Sequence, residues 1–133
     1  MGSGLILLDT HVLIWAQNAP ERLSRRAAGS IRRAARDGGL AIAAFTLLEA
    51  AWLYRRGRIR ESSGLRSFVE QLVDGVAVLP SSVEIAIQAA QLGVDFAGDP
   101  GDRLIAATAI VHGLALVTAD QRLRDSSAVR TVW

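Results

Sequence analysis

The chain has 133 residues, half of them hydrophobic, which is enough for one compact domain with a core and too few for two. Its 15 basic residues are all arginines, against 13 acids, so the net charge is +2 and a Walker-type nucleotide site, which needs a lysine, is excluded. Cysteine is absent, which excludes disulfides, thiolate zinc sites and cysteine nucleophiles. We therefore predict a single domain over residues 1–133.

No stretch approaches the roughly 18 consecutive apolar residues that cross a bilayer, and the first residues lack the pattern of a signal peptide. We therefore expect a cytoplasmic protein that makes no contact with a membrane. The opening Met-Gly-Ser-Gly at 1–4 carries no predicted structure.

The first half of the chain alternates short apolar runs with longer helical patterns. Leu5 to Leu8 is a continuous apolar run of the kind that forms a buried strand, and a helix follows from Thr10 to about Gln17. A second helix is predicted from about Glu21 to Arg36, ended by a Gly-Gly pair. A second strand at 40–44 and a helix at about 46–56 complete this half.

The second half repeats the alternation. A helix is predicted at about 65–74, a strand at 76–79, and a helix capped by Ser81 or Ser82 that runs to about Leu92. After a loop rich in turn formers, Asp99 suits an N-cap and Pro100 a first helical position. That helix runs to His112, Gly113 ends it, and strands are predicted at 114–117 and 129–132.

Strands that alternate with helices are typical of βαβ units and a parallel sheet. We therefore predict an α/β fold with a central, mostly parallel sheet of about five strands and helices packed around it.

Four acids lie where a predicted strand gives way to a helix or turn: Asp9, Glu49, Asp102 and Asp120. Parallel strands present their carboxyl ends at one edge of a sheet, and ligands bind at that edge in open α/β folds. The sequence therefore predicts a carboxylate cluster.

Taken singly, each acid also has an ordinary structural role. Asp9 suits an N-cap, Thr46 and Glu49 match a capping box, and Asp102 falls three residues after Asp99 in the same relation. Asp120, the fourth acid, suits a turn.

Converging carboxylates repel one another unless a cation neutralises them. Mg²⁺ and Mn²⁺ prefer oxygen ligands, and with no cysteine and two histidines a zinc site is disfavoured. Hard-metal carboxylate sites favour phosphoryl-transfer chemistry, in which the ion activates water and stabilises charge on the phosphate.

Four segments of the chain together resemble, in order and spacing, the motifs of PIN-domain ribonucleases, specifically VapC-type toxins of bacterial toxin-antitoxin pairs. These segments are LLDTH at 7–11, LLE at 47–49, DPGDRLIAA at 99–107 and LVTAD at 116–120. The resemblance spans essentially the whole chain and implies a three-layer α/β/α PIN-like domain.

The resemblance also implies a function and a site. The implied protein is a metal-dependent endoribonuclease that uses Mg²⁺, with Mn²⁺ as the alternative, cleaves RNA, is inhibited by a small VapB-type antitoxin and forms a homodimer. Thr10 and Thr118 would be polar residues beside the site or facing substrate. The implied catalytic and metal-binding residues are Asp9, Glu49, Asp102 and Asp120, with Asp99 as a nearby fifth carboxylate.

Arginines cluster in two places. One set recurs at helical spacing at 25, 26, 32, 33 and 36, and a solvated helix face is the interpretation we favour for it. For the second set, at 55, 56, 58 and 60, we favour contact with phosphate or a partner, because it shares a helix with Glu49.

The histidines and tryptophans receive structural roles. His11 is expected to bond to backbone at a helix start, and His112 to lie at a helix C-terminus, where its charge is favourable. Trp15 and Trp52 are predicted to lie in the core or in an interface, and no stacking platform for bases is predicted.

Two other functions compete with the ribonuclease. A PIN-like module that binds RNA or protein without cutting would use the same fold. A phosphatase of the aspartate-nucleophile type would also place an aspartate after strand one, but it usually needs a second aspartate where His11 stands and a later lysine, which this chain lacks.

Overall fold

The computed structural model describes residues 4–94, 96 and 98–133. Its strands are β1 (Ile6–Leu8), β2 (Leu40–Ala43), β3 (Val76–Leu79), β4 (Leu116–Val117) and β5 (Thr131–Val132). Its helices are α1 (Thr10–Asn18), α2 (Arg25–Asp37), α3 (Ala44–Arg55), α4 (Leu65–Leu72), α5 (Val83–Gln91), α6 (Pro100–His112) and α7 (Gln121–Asp125). The turn-rich loop predicted before Asp99 falls partly outside the described residues, at Asp95 and Ala97.

The strands form one five-stranded sheet in the order β3-β2-β1-β4-β5, and every neighbouring pair is parallel. In this order β1 is central, paired with β2 through Ile6 and Leu40 and with β4 through Leu8 and Val117. The predicted parallel sheet is confirmed, and all carboxyl ends of its strands lie at one edge.

The sheet is covered on both faces because successive strand residues point in opposite directions. On one face, Leu7 and Leu116 pack with Ile105 of α6 and Leu123 of α7, and α5 packs on α6. On the other face, Leu8, Ile42 and Val117 pack with buried residues of α1 to α4, namely Val12, Leu13, Ile14, Ala27, Ala50, Phe68 and Leu72. The three-layer α/β/α prediction is confirmed.

The predicted helix from Glu21 to Arg36 is wrong in its first turn. Pro20–Arg22 is a separate 3-10 helix, and α2 begins at Arg25 after Ser24, whose hydroxyl accepts from the Ala27 amide. Ser24 starts a new helix here because its hydroxyl pairs with an amide that has no partner within the helix. The chain therefore turns between the 3-10 helix and α2, where one continuous helix was predicted.

The capping box predicted at Thr46 and Glu49 is also wrong. Helix α3 begins at Ala44 after Ala43, so Thr46 lies inside the helix, where its Oγ1 is 3.0 Å from Oγ1 of Thr10. The chain enters α3 directly from β2, without the connecting residues that a side-chain cap would occupy.

Two other parts of the fold bear on the site. Helix α7, which was not predicted, follows β4 and begins at the N-cap Asp120. Helix α6 follows α5 without an intervening strand, so the expectation that a strand precedes Asp102 is wrong. Asp102 nonetheless reaches the carboxyl edge, because α6 runs back across the sheet into parallel strand β4.

Among the described residues, no helix combines the length and apolarity needed to cross a bilayer.

Candidate active site

A cleft of about 900 Å³ opens at the carboxyl edge of the sheet and gathers all of the acids that the sequence singled out. They come from the ends of β1 and β4, from α3 and from the start of α6. The carboxylates that line the cleft are Asp9, Glu49, Asp99, Asp102 and Asp120.

Asp9 is fixed by two hydrogen bonds at the end of β1. Its Oδ1 accepts from the Thr10 amide at 2.9 Å, as the predicted N-cap of α1, and its Oδ2 accepts from the Thr118 hydroxyl at 2.6 Å. Burial raises the pKa of Asp9 above its usual range, against the opposing effect of these hydrogen bonds and of His11. One carboxylate therefore serves as a helix cap and as a wall of the cleft.

Thr118 links two strand ends. While its hydroxyl donates to Asp9, the same oxygen accepts from the Asp120 amide at 3.1 Å. Because Thr118 is fully buried, this link sets the separation of β1 and β4 at their exits. The placement of Thr118 beside the acids agrees with the role that the resemblance implied for it.

Asp120 is the N-cap of α7, and its Oδ1 accepts from the Arg122 amide at 2.9 Å. The Arg122 side chain also bonds Asp120, through Nε at 3.3 Å and Nη2 at 3.1 Å. These bonds lower the pKa of Asp120, so its carboxylate stays ionised to a lower pH than that of a free aspartate.

Asp99 and Asp102 form a complete capping box at the start of α6, as their spacing suggested. Asp99 Oδ1 accepts from the Asp102 amide at 2.9 Å, and Asp102 Oδ2 accepts from the Asp99 amide at 3.4 Å. Burial, followed by the charges of Asp99 and Asp9, raises the pKa of Asp102 to about 6. Asp102 therefore takes up a proton more readily than an exposed aspartate, mainly because it is partly removed from solvent.

Gly98 allows Asp102 to be covered by backbone. It has φ of 128°, and a Cβ built there would lie 2.9 Å from Asp102 Oδ2. The loop that precedes α6 therefore packs closely on this carboxylate, which contributes to its burial.

Glu49 reaches the cleft from α3, where it is half-buried. The contact between Thr10 and Thr46 joins α1 to α3 one turn before Glu49. Thr10 is fully buried and bonds to the helix that carries Glu49, so of the two positions that the resemblance implied it has the one beside the site.

The chemistry of the lining suits a hard divalent cation. Five carboxylates line the cleft, and sulfur ligands are absent from the sequence. In residues 4–94, 96 and 98–133, no group of three or more histidine, aspartate and glutamate side chains is arranged so that it could hold a metal ion. The acids therefore share a cleft but do not form a preorganised metal-coordination shell.

Basic and apolar residues line the same cleft. Arg58 and Arg60, from the second arginine cluster, line it together with Arg22 of the 3-10 helix. The Arg22 guanidinium stacks 4.7 Å from the ring centre of Trp15, which is half-buried and also lines the cleft. The sequence analysis missed Arg22, because only the corner before α2 brings it to the cleft.

The remaining aromatic predictions are mixed. His11 is exposed, lines the cleft and lies 5.9 Å from the Trp15 ring, so its ring contact is with an aromatic side chain. Trp52 is 47% exposed with Arg56 over its ring, so it is not a core residue. His112 lies in the last turn of α6, as predicted.

The chain matches the model of the PIN domain family over residues 6–128. With the parallel sheet and the acidic cleft at its carboxyl edge, this match shows that the chain belongs to the PIN domain family.

Within that family the similarity is to VapC-type proteins. The chain is 42% identical over 130 residues to "Ribonuclease VapC22" of Mycobacterium tuberculosis, covering 96% of this chain and 98% of that protein. Its fold matches the structure of VapBC2 from Rickettsia felis bound to a DNA fragment from their promoter, with a TM-score of 0.74 at 17% identity and 96% of each chain covered. DNA-bound VapBC from Salmonella typhimurium gives 0.71 at 20% identity, with 95% of each chain covered. The resemblance seen in the sequence motifs is confirmed.

Proposed function

We propose that this chain is a metal-dependent endoribonuclease and the toxin of a toxin-antitoxin pair. One observation carries the proposal. Acids from four separate segments meet in one cleft, in a chain that is 42% identical to a protein named as a ribonuclease. We also propose that residues 1–133 act as one domain.

The proposed site is Asp9, Glu49, Asp102 and Asp120, with Asp99 beside them. When bound, Mg²⁺ or Mn²⁺ supplies Lewis acidity and neutralises charge on a phosphodiester. Thr118 holds Asp9 in place, and the capping box holds Asp102. The carboxylates are therefore positioned before substrate arrives, which reduces the cost of ordering them.

The arginines that line the cleft support a polyanionic substrate. Arg22, Arg58 and Arg60 face the same opening as the acids, so a strand whose scissile phosphate lies at the acids can place neighbouring phosphates on guanidinium groups. Arginine binds phosphate through paired donors and keeps its charge.

We expect cleavage of RNA in Mg²⁺ or Mn²⁺ and loss of cleavage in excess chelator. The physical reason is that the clustered carboxylates need a cation before a phosphate can approach them. The measurement is a gel assay of single-stranded RNA with chelator and with each metal added back. Robust cleavage in excess chelator would contradict the metal-dependent mechanism, and binding without cleavage in every metal would favour a PIN-like binding module.

Replacing Arg58 and Arg60 by glutamine should weaken RNA binding in chelator and reduce its salt dependence. Each phosphate contact contributes about 0.7 to the slope of log affinity against log salt for a single strand, so the double variant should lose about 1 to 1.4. Fluorescence anisotropy of labelled RNA across a salt series measures this slope. Arg32→Gln, on the exposed face of α2, is the matched control; an equal loss there would contradict a specific role for the cleft arginines.

The proposed partners follow from the matched Rickettsia and Salmonella structures, which are VapBC structures. We propose a small VapB-type antitoxin for this chain, a homodimeric toxin, and action in the cytoplasm on RNA. A small protein encoded beside this one should co-purify with it and suppress cleavage. Light scattering of the purified toxin tests the dimer.

A further inference from the structure

Arg122 bridges two of the proposed metal ligands. Its Nη2 lies 3.4 Å from Asp102 Oδ2 and 3.1 Å from Asp120 Oδ2. A single nitrogen thus joins carboxylates from α6 and α7 that are 18 residues apart in the sequence. The guanidinium therefore occupies carboxylate oxygens that the proposed site would offer to a cation.

Arg122 is the most exposed member of the bridge. The side chains of Asp102 and Asp120 are 18% and 26% exposed, whereas the Arg122 side chain is 57% exposed. An exposed guanidinium held by two less exposed carboxylates can leave them without breaking any packing of the core. Its main restraint is the attraction of the acids themselves, which is modest at a solvated position.

A second cavity adjoins the Arg122 side chain. It lies between the acidic cleft and a second cavity of about 460 Å³, which Asp125 and Ser126 line as well. Asp125 is three residues further along α7, a spacing that puts two side chains on one side of a helix. One of its oxygens, Oδ1, accepts from Gln121 Nε2 at 2.6 Å, so the guanidinium that leaves the cleft would share this carboxylate with Gln121.

We propose that Arg122 is a tethered cation that neutralises Asp102 and Asp120 in the metal-free protein and competes with the divalent metal for their oxygens. This inference rests on the proposed metal-dependent function. Metal binding then requires the guanidinium to leave the two carboxylates, so metal affinity is lower than the acids alone would give. Arg122 is a positioning residue in this scheme, since it acts through the acids.

The direct test is a calorimetric titration of the full chain with Mn²⁺ in the absence of RNA. Arg122→Gln should bind Mn²⁺ about two- to tenfold more tightly than the wild type, because it removes the competing charge. The matched control is Arg124→Gln, which removes an equal charge from the same helix at a guanidinium that donates to Gln121. Arg124→Gln should bind Mn²⁺ within about twofold of the wild type.

A second readout separates competition from a purely structural role. In chelator, Arg122→Gln should melt at a lower temperature than Arg124→Gln, because Asp102 and Asp120 then lack a counter-charge. In saturating Mn²⁺ this difference should close, since the metal replaces the arginine. If the melting temperature of Arg122→Gln stays equally far below that of Arg124→Gln in Mn²⁺, the proposed competition is wrong.

The outcomes also separate this inference from the proposed function. Suppose that the wild type binds Mn²⁺ and cleaves RNA, but Arg122→Gln binds Mn²⁺ no more tightly than Arg124→Gln. The proposal that Arg122 competes with the metal is then wrong, while the proposed ribonuclease function is supported. If the wild type binds no Mn²⁺ and cleaves RNA equally in chelator, both fail together.

Discussion

Asp102→Asn should reduce RNA cleavage in Mg²⁺ or Mn²⁺ by at least about 100-fold, and Asp9→Asn should do the same. Removing an outer partner of a metal ligand typically costs about 10- to 100-fold, so removing a ligand itself should cost at least as much. The Asp102 carboxylate accepts from the Asp99 amide and the Asp9 carboxylate from the Thr118 hydroxyl. The carbonyl oxygen of an asparagine can still accept either bond, so the fold should survive. Single-turnover cleavage of a labelled RNA measures the loss.

Asp102→Asn should have the opposite effect on the stability of the metal-free protein. The pKa of Asp102 is raised to about 6 in the folded state, from an ordinary value of 3.8. The folded state therefore binds a proton more readily than the unfolded chain, and folding stability falls as the pH rises from 3.8 through about 6. Above that range the wild type carries the cost of an ionised, partly buried carboxylate that its partners offset only in part, and asparagine removes this cost.

Melting temperatures in chelator test this directly. Asp102→Asn should melt above the wild type at neutral pH, and the difference should shrink as the pH is lowered towards 4. Asp74→Asn, an exposed aspartate after α4, is the control and should change neither cleavage nor melting. Full cleavage by Asp102→Asn, or a lower melting temperature at neutral pH in chelator, would contradict the role assigned to Asp102.

Gly101→Ala should destabilise the protein by about 1–3 kcal/mol, the usual cost of overpacking. Gly101 is buried at the start of α6, and a Cβ built there would overlap Cε2 and Cζ of Phe45, with Cδ2 at 3.1 Å. Because Phe45 belongs to α3 and Gly101 precedes Asp102, relief of the clash moves α6 against α3. Cleavage should therefore fall along with the free energy of unfolding, which urea denaturation measures.

The chain offers a matched control and a suppressor for this prediction. A Cβ at Gly29, inside α2, would meet only the ends of two flexible side chains, Arg33 at 3.4 Å and Arg32 at 3.9 Å. Gly29→Ala should therefore stabilise by about 0.5–1 kcal/mol because alanine is the better helix former. Phe45→Leu opens space beside Gly101, so the double variant should lose less stability than the sum of the single changes. Strict additivity would show that the two residues do not compete for the same space.

The carboxylates combine helix capping with the proposed chemistry. Asp9 and Asp120 are N-caps, and Asp99 and Asp102 form a capping box. Helix N-termini carry partial positive charge, so they stabilise the carboxylates that the cleft needs. Glu49, for which a cap was also predicted, is the exception, since α3 begins five residues earlier at Ala44 and leaves it free of that role.

The sequence by itself determined the layers and the order of the site. The apolar runs at β1 and β4 predict buried parallel strands because a strand covered on both faces is apolar throughout, a property of its own residues. The acids after those runs, and the proline and capping box at the start of α6, are likewise local patterns, and the structure bears them out at Asp9, Asp102 and Asp120.

Only the tertiary structure decided which charges meet. The corner at Ser24 turns Arg22 into the cleft, and α7, a five-residue helix too short for a periodic signal, places Arg122 on Asp102 and Asp120. Likewise, the Thr118 hydroxyl donates a hydrogen bond to Asp9, which lies 109 residues away in the sequence. Hydrophobic periodicity reports what each segment buries, whereas an ion pair or hydrogen bond between distant segments depends on how the layers stack, which no local window of sequence contains.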